Sequence, residues 1–181
     1  MCRFCFCCRH HKIEPIGTEF NYSDVRRKGI IPAGDYTCTA ISEWVTLKRN
    51  DVPDAGYGWK IHISLDDEFS GNIENAWNVL VGLFITKRIN LVKLIDQGAK
   101  DITVHPNYHG RQITIYSDLE PFTADEWREI LQEINDELVR AKVVPGYRSK
   151  ICQPIEGSSY FSYRNDDNGS GEYLDHRFSF R

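Results

Sequence analysis

Two side chains suited to proton transfer stand two positions apart in the stretch GWKIHISLDD, residues 58–67. They are Lys60 and His62, and they alternate with the apolar residues Ile61 and Ile63. Because successive side chains of a β-strand point to opposite faces, this alternation predicts a strand with both polar side chains on one face. An ammonium group beside an imidazole could bind an anion or exchange protons with it.

Three further polar side chains fall in segments with the pattern of strands. Lys93 lies in LVKLID, Tyr116 near the end of RQITIYSD, and Arg164 in SSYFSYRND. If these strands are neighbours of the first, the sequence predicts a pocket of two ammonium groups, a guanidinium, an imidazole and a phenol. A phosphate or a carboxylate is the expected ligand, with the forked guanidinium of Arg164 as its main contact.

Such a pocket indicates a type of reaction. Neighbouring positive charges disfavour a further one, so Lys93 could act as a general base near neutral pH, with His62 as the general acid. A base, an acid and an anion clamp without a nucleophile suit a lyase, which removes a proton α to a carbonyl and expels a leaving group from the β-carbon. The plainer alternative is an interaction domain without catalysis, whose lysines lie on a solvated strand face.

Hydrophobic periodicity places these residues in an α+β fold, with two principal helices packed on a mostly antiparallel sheet. One helix is predicted over residues 71–88, with Asn72 as its cap. The other begins with a capping box formed by Thr123 and Glu126 and ends before Pro145. Strands are predicted at residues 36–47, 59–66, 91–96, 111–118 and 158–166.

The chain has 181 residues and a net charge of −4. This length suits one domain, and we place it at residues 31–181, after a poorly ordered, cysteine-rich segment of residues 1–30. The negative charge argues against electrostatic binding to nucleic acid. No apolar run reaches the roughly 20 residues that span a bilayer. We therefore expect a monomer with no integral membrane segment.

Four of the six cysteines crowd the first residues, MCRFCFCCRHHK; they are Cys2, Cys5, Cys7 and Cys8. Three interpretations are open. Thiolates and imidazoles could hold zinc, although the spacing fits no standard pair of ligand knuckles. S-acylation could tether the chain to a membrane. The segment could also be a reactive tail with no fixed role. Structural disulfides are not expected if the protein works in a reducing compartment.

Four segments resemble, in the same order, motifs of the phosphothreonine lyases of bacterial effectors, the OspF/SpvC family. WKIHISL resembles the family's K-x-H-x-S strand, and AWNVLVGLF followed by VKLID resembles its helix, loop and lysine-bearing strand. GRQITIY resembles its G-x-Q-[FI]-T-[LI]-Y strand, and YFSYRND resembles its Y-[LIF]-S-Y-R-N segment. The resemblance runs from about Trp59 to Asn165.

This resemblance implies an α+β fold and a carbon–oxygen lyase that works without a metal or a cofactor. In the family, a lysine removes the α-proton of a phosphothreonine in a host MAP kinase, and a histidine protonates the departing phosphate. Carried over to this chain, Lys93 matches the base, His62 the acid, and Lys60 the lysine that steadies developing negative charge. Tyr116 matches a pocket tyrosine and Arg164 a phosphate-binding arginine. The resemblance also implies secretion into the cytosol or nucleus of a host cell by a specialised system.

Two arginines of the family pattern lack a clear counterpart. The one before the G-x-Q strand has Lys100 and Arg111 as candidates. The one after Y-R-N falls on Gly171 in a gapless alignment, with Arg177 further on. These departures leave open a lyase fold with altered activity that binds a phosphorylated or anionic partner.

Two alternatives concern the catalytic residues themselves. Lys93 aligns with the base only if the preceding loop is two residues shorter; without that gap, Ile95 takes the position. A two-histidine phosphoesterase is also conceivable, because HIS followed by an apolar residue resembles one H-x-[ST]-x element. The segments HPNY at 105 and HGRQ at 109 do not supply the second element that this mechanism needs.

Overall fold

The computed structural model describes residues 16–52, 58–95 and 110–166. These residues form three α-helices and an eight-stranded sheet in which all neighbouring strands are antiparallel, so the predicted α+β class is confirmed. No helix within these ranges is long and apolar enough to cross a membrane. The helices are α1 (Tyr22–Lys28), α2 (Asn72–Thr86) and α3 (Ala124–Arg140).

The order of the strands brings together segments that are distant in the sequence. Across the sheet the order is β1-β2-β3-β5-β6-β4-β8-β7. The strands that carry Lys93, His62 and Arg164 are β5, β4 and β8, and they fall within four adjacent strands, with β6 between β5 and β4. The strands are β1 (Ile30–Ala33), β2 (Tyr36–Ile41), β3 (Trp44–Arg49), β4 (Gly58–Ile63), β5 (Leu91–Ile95), β6 (Ile113–Ile115), β7 (Gln153–Pro154) and β8 (Phe161–Asp166).

The hydrophobic core lies between the helices and one face of the sheet. Burial of these apolar side chains is the main favourable contribution to folding. Because strand side chains alternate, the residues between the core positions, Lys60 and His62 among them, project from the opposite face. The core includes Trp77 and Phe84 of α2, Trp127 and Leu138 of α3, and Leu47, Ile61 and Ile113 of the sheet.

Helix α3 begins with the capping box that the sequence predicts. The Thr123 hydroxyl accepts a hydrogen bond from the backbone N–H of Glu126 (3.3 Å), and the Glu126 carboxylate accepts one from the Thr123 N–H (2.7 Å). Together these bonds satisfy two amide groups that the first turn leaves without helical partners.

The start of α2 differs from the prediction. The cap is Gly71, with φ 78°, and Asn72 is the first helical residue. The Asn72 side chain instead accepts a hydrogen bond from Val144 N (2.8 Å) and donates to Asp66 O (2.9 Å) and Val144 O (2.8 Å). It therefore ties the segment before α2 to the segment after α3, a long-range role that local sequence does not indicate.

The segment predicted as one strand at residues 36–47 is a hairpin. Strand β2 ends at Ile41 and β3 begins at Trp44, its cross-strand neighbour. The turn contains Ser42 with φ 52°, where glycine or asparagine is the usual residue. Because the turn lacks those residues, the local sequence pattern does not predict it.

Part of the segment expected to be poorly ordered is folded. Thr18–Phe20 forms a 3-10 turn that leads into α1. Phe20 and Val25 are buried in the core, and the indole N–H of Trp77 donates to the carbonyl of Phe20 (2.8 Å). These few apolar residues show no sustained period, and they are ordered by contact with α2. Residues 1–15, which include Cys2, Cys5, Cys7 and Cys8, lie outside the described residues.

Candidate active site

The register of the sheet gathers cationic and polar side chains on the face opposite the core. Lys60 of β4 is the direct neighbour of Arg164 of β8. On the other side of β4, His62 is the neighbour of Thr114 in β6, which is also the neighbour of Lys93 in β5. The residues that the sequence singled out on three separate segments are therefore close together on four adjacent strands.

Tyr116 lies between the two lysines. The Nζ atoms of Lys60 and Lys93 are each 5.2 Å from the centroid of its ring. An aromatic ring attracts cations to its face, so one phenol holds two ammonium groups that would otherwise repel each other. A backbone hydrogen bond holds Tyr116 in place: its N–H donates to the carbonyl of Leu91 (3.2 Å).

His62 is buried, with an exposed fraction of 2%. Its Nδ1 atom is 3.0 Å from the Thr114 hydroxyl, whereas Nε2 has no hydrogen-bond partner among the described residues. Burial holds the pKa of His62 well below its usual range, and the charges of Arg111, Arg164 and Lys60 lower it further. Without a bound anion the imidazole is therefore neutral at neutral pH.

Arg111 also belongs to this site. It is 5% exposed, and its charge acts on both His62 and Cys152. Burial raises the pKa of the Cys152 thiol, while the charges of Arg111 and Arg164 oppose that rise. The two guanidinium groups thus converge on one region next to the imidazole. Two cations at this place suit a phosphate dianion.

The residues on either side of Arg111 fix its position. The Gly110 carbonyl accepts from the Ser64 hydroxyl (2.5 Å), and the Gln112 side chain accepts from the Leu65 N–H (2.9 Å). Gly110 has φ 75°, and an added Cβ would lie 2.2 Å from the Tyr147 carbonyl oxygen, so only glycine fits. These contacts explain why glycine and glutamine flank Arg111 in the sequence GRQ.

A cavity of about 380 Å³ opens beside the site on the same face of the sheet. It contacts the cluster at Lys93 and extends over β3 and β2, away from His62. Hydroxyl and amide groups dominate its walls, so it offers hydrogen bonds to a polar chain. Its lining residues are Thr37, Thr39, Thr46, Lys48, Asn50, Leu91 and Lys93.

Lys93 and Ile95, the two residues that the alternative alignments place at the position of the base, have different surroundings. Lys93 is half-buried and faces Tyr116, whereas Ile95 is 1% exposed and carries no titratable group. Lys93 therefore places an amine next to Thr114, the cross-strand neighbour of His62. Lys100, Gly171 and Arg177 lie outside the described residues.

Two residues of the site were missed from the sequence, Thr114 and Ser162. Thr114 separates Lys93 from His62, and Ser162 is the buried neighbour of His62 on β8. The alternation of side chains along β8 could have indicated Ser162, because a residue two positions before Arg164 lies on the same face of the strand. Within the described residues, no group of three or more His, Cys, Asp or Glu side chains could hold a metal ion.

Chemically, this arrangement combines an anion site with groups that can move protons. Lys60, Arg111 and Arg164 supply positive charge, Lys93 an amine, and His62 an imidazole with one open nitrogen. Among the described residues, no serine or cysteine forms a hydrogen bond with the imidazole Nε2. The cluster therefore suits proton transfer around a bound anion better than attack by a protein nucleophile.

Structural comparison relates the fold to phosphothreonine lyases. The type III effector and phosphothreonine lyase OspF from Shigella flexneri superimposes with a TM-score of 0.61 and 24% identity, covering 80% of this chain and 77% of that one. The phosphothreonine lyase SpvC, an effector protein from Salmonella, gives 0.64 and 19%, covering 80% and 75%. The phosphothreonine lyase effector VirA from Chromobacterium violaceum gives 0.65 and 21%, covering 81% and 73%.

These likenesses establish a shared fold, the α+β architecture of the OspF and SpvC structures. No protein-family model matches the chain, and no curated protein matches it by sequence.

Proposed function

We propose that this protein is a phosphothreonine lyase that removes phosphate from a host protein by β-elimination. The observation that carries the proposal is the position of Lys93 and His62 on either side of Thr114, on the face where Lys60 stands opposite Arg164. Lys93 and His62 lie on the two strands that flank β6. From these positions, the amine can reach the α-hydrogen and the imidazole the phosphate oxygen of one bound phosphothreonine. The shared fold with OspF and SpvC supports this proposal.

In the proposed reaction, the Lys93 amine takes the α-proton of the phosphothreonine. The electron pair of that C–H bond forms the Cα=Cβ double bond, and the bond from Cβ to the bridging oxygen breaks. His62 gives a proton to the departing oxygen through Nε2. The products are inorganic phosphate and a dehydrobutyrine residue, and no water molecule is consumed.

The cations stabilise the charge that develops in this step. Arg164 and Arg111 hold the phosphate, and Lys60 steadies negative charge on the substrate carbonyl as the α-proton leaves. Tyr116 holds the Lys60 and Lys93 side chains in place through its ring. Each of these groups is already positioned before substrate binds, which is the condition for effective electrostatic stabilisation.

Binding of the phosphate group also favours protonation of His62, the proposed acid. His62 is surrounded by positive charge and is neutral in the ligand-free site. A bound phosphate dianion offsets the charges of Arg111, Arg164 and Lys60, so it raises the pKa of His62 and favours the imidazolium form. The acid is therefore charged mainly when a substrate is present.

The substrate and its location form part of the proposal. The related folds include proteins described as bacterial effectors, one of them a type III effector. We infer that this chain is secreted into a host cell and acts in the cytosol or nucleus on a phosphorylated protein, with a MAP-kinase activation loop as the first candidate. The polar cavity beside Lys93 offers room for residues that flank the phosphothreonine. S-acylation of the N-terminal cysteines would tether the enzyme to a membrane.

Release of inorganic phosphate from two kinds of substrate tests the reaction type. A phosphothreonine peptide has the α-hydrogen that elimination needs, whereas p-nitrophenyl phosphate does not. A lyase releases phosphate from the peptide alone, and we expect that result. Release from both compounds would indicate hydrolysis and overturn the proposal.

The second candidate is a lyase fold that binds a phosphorylated partner without turnover. It is favoured by one observation, the glycine at position 171 where a gapless alignment puts a phosphate-binding arginine. Saturable binding of the phosphothreonine peptide, with no phosphate released over a long incubation, would support this candidate and exclude the first.

A further inference from the structure

Thr114 occupies a central position that the reaction proposed above does not use. It is the cross-strand neighbour of His62 on one side and of Lys93 on the other. Its hydroxyl is 3.0 Å from His62 Nδ1, within hydrogen-bond distance. The side chain therefore lies between the proposed acid and the proposed base and contacts the acid directly.

The contact determines which nitrogen of His62 can face a ligand. An imidazole ring can present either nitrogen, and the hydrogen bond made by one fixes the role of the other. Here the Thr114 hydroxyl occupies Nδ1, and Nε2 remains buried without a partner among the described residues. The proton available to a bound anion is consequently the one on Nε2.

A hydroxyl suits this position because it can reverse its role. It donates to Nδ1 when the imidazole is neutral and accepts from the Nδ1–H group when the imidazole is charged. A carboxylate at this place would form an ion pair with His62 and neutralise part of the positive site. Thr114 keeps the ring in position and leaves the positive charge for the ligand.

We propose that Thr114 is a positioning residue, which holds His62 through Nδ1 so that Nε2–H is directed at the leaving phosphate oxygen. This inference rests on the proposed elimination, but the geometry at its centre is a property of the ligand-free site. Thr114 touches neither the phosphate nor the reacting carbons in this proposal, and its effect on the reaction passes through His62.

Among the described residues, the charges that lower the pKa of His62 are all positive. Lys93 of β5 lies on the far side of Thr114, and the three groups with this effect are Lys60 on the same strand as His62, Arg164 on β8 and Arg111 just before β6. Each disfavours the imidazolium, so the hydrogen bond that the Thr114 hydroxyl accepts from Nδ1–H counts among the few contacts that stabilise it. Removal of that acceptor should make His62 a weaker base when phosphate is bound.

Thr114→Val is the first test, because valine keeps the shape and the β-branch of threonine and removes only the hydroxyl. We expect kcat on a phosphothreonine peptide to fall about tenfold or more, the effect of one hydrogen bond to a charged group. KM should change little. In the plot of kcat against pH, the alkaline limb should move to lower pH. Thr114→Ser, which restores the hydroxyl, should return the profile to that of the wild type. Thr86→Val removes a remote hydroxyl that bonds Gly82 O on α2 and is the matched control.

A second measurement does not depend on turnover. Titration of the His62 ring nitrogens by NMR, in protein saturated with inorganic phosphate, should give a lower pKa in Thr114→Val than in the wild type or in Thr114→Ser. If valine disrupts the sheet, Thr114→Ala provides the hydroxyl-free protein. An unchanged kcat profile together with an unchanged His62 titration would overturn the inference. If the wild type eliminates no phosphate but the His62 titration still shifts in Thr114→Val, the inference about Thr114 stands while the proposed function fails.

Discussion

Lys60 and Arg164 stand directly opposite each other on β4 and β8, with an ammonium and a guanidinium on the same face of the sheet. Like charges at such neighbouring positions repel each other and weaken the pairing of the strands. The nearby Lys93 and Arg111 add to the positive charge. The site is therefore less stable when empty than when it holds an anion, and anion binding should be measurable as a gain in stability.

Inorganic phosphate should raise the melting temperature of the wild-type protein. A ligand at one hundred times its dissociation constant stabilises the folded state by about 2.7 kcal/mol. In Arg164→Met most of this gain should disappear, because the forked phosphate contact is lost. Arg140→Met is the matched control, since Arg140 is an exposed residue of α3 that bonds Glu137. Thermal unfolding with and without phosphate gives the comparison; equal gains in all three proteins would refute a phosphate site at Arg164.

Lys93→Arg should slow elimination strongly although it keeps the positive charge. Arginine stays protonated in proteins and cannot accept the α-proton. We expect kcat to fall about 10²- to 10⁴-fold, the usual contribution of a general base. Lys150→Arg, at an exposed position in the loop after α3, should have wild-type activity. Initial rates of phosphate release provide the measurement, and substantial activity in Lys93→Arg would mean that another group takes the proton.

The positions of these residues could be predicted only in part. The alternation in GWKIHIS was sufficient to place Lys60 and His62 on one strand face, and the structure has them there. Helix α3 followed from its apolar period and its capping box. These features depend on residues close together in the chain, which is why the sequence shows them.

The composition of the whole site depends on long-range register. That Thr114 stands between His62 and Lys93 follows from β6 lying between β4 and β5, an order that no local pattern specifies. The position of Arg111 near His62 likewise depends on long-range contacts: Gly110 approaches Tyr147, and Gln112 forms a hydrogen bond with Leu65. The β2–β3 hairpin was missed because its turn uses Ser42.

Arg111→Lys should weaken substrate binding more than it slows the chemical step. Lysine keeps the charge but loses the planar fork that can hold two phosphate oxygens. We expect KM to rise by about tenfold or more, as for the loss of a charged hydrogen bond, with a smaller change in kcat. Arg140→Lys serves as the exposed control. Unchanged KM in Arg111→Lys would place the phosphate away from this guanidinium.

The stability of the ligand-free protein should fall on mild acidification because of His62. Its pKa is lower in the folded state than in the unfolded chain, where it is about 6.5. Below pH 6.5 the unfolded chain therefore takes up a proton that the folded protein does not, and each pH unit removes up to about 1.4 kcal/mol of stability.

The variant His62→Gln isolates this effect, since glutamine does not titrate. Chemical denaturation between pH 7.5 and about pH 5 should show a shallower loss of stability in the variant than in the wild type. Saturating phosphate should reduce the loss in the wild type, because it favours the protonated ring. Identical pH dependence in both proteins would contradict the burial of a neutral His62.

The central claim is β-elimination at a phosphothreonine, and the mass of the product tests it most directly. A doubly phosphorylated MAP-kinase activation-loop peptide would be incubated with the wild-type protein and with Lys93→Arg, and then analysed by mass spectrometry. We predict that the wild type removes the elements of phosphoric acid from the phosphothreonine, which leaves this residue one water lighter than threonine and reactive towards added thiols. A product in which the threonine hydroxyl is restored would show hydrolysis and contradict the account.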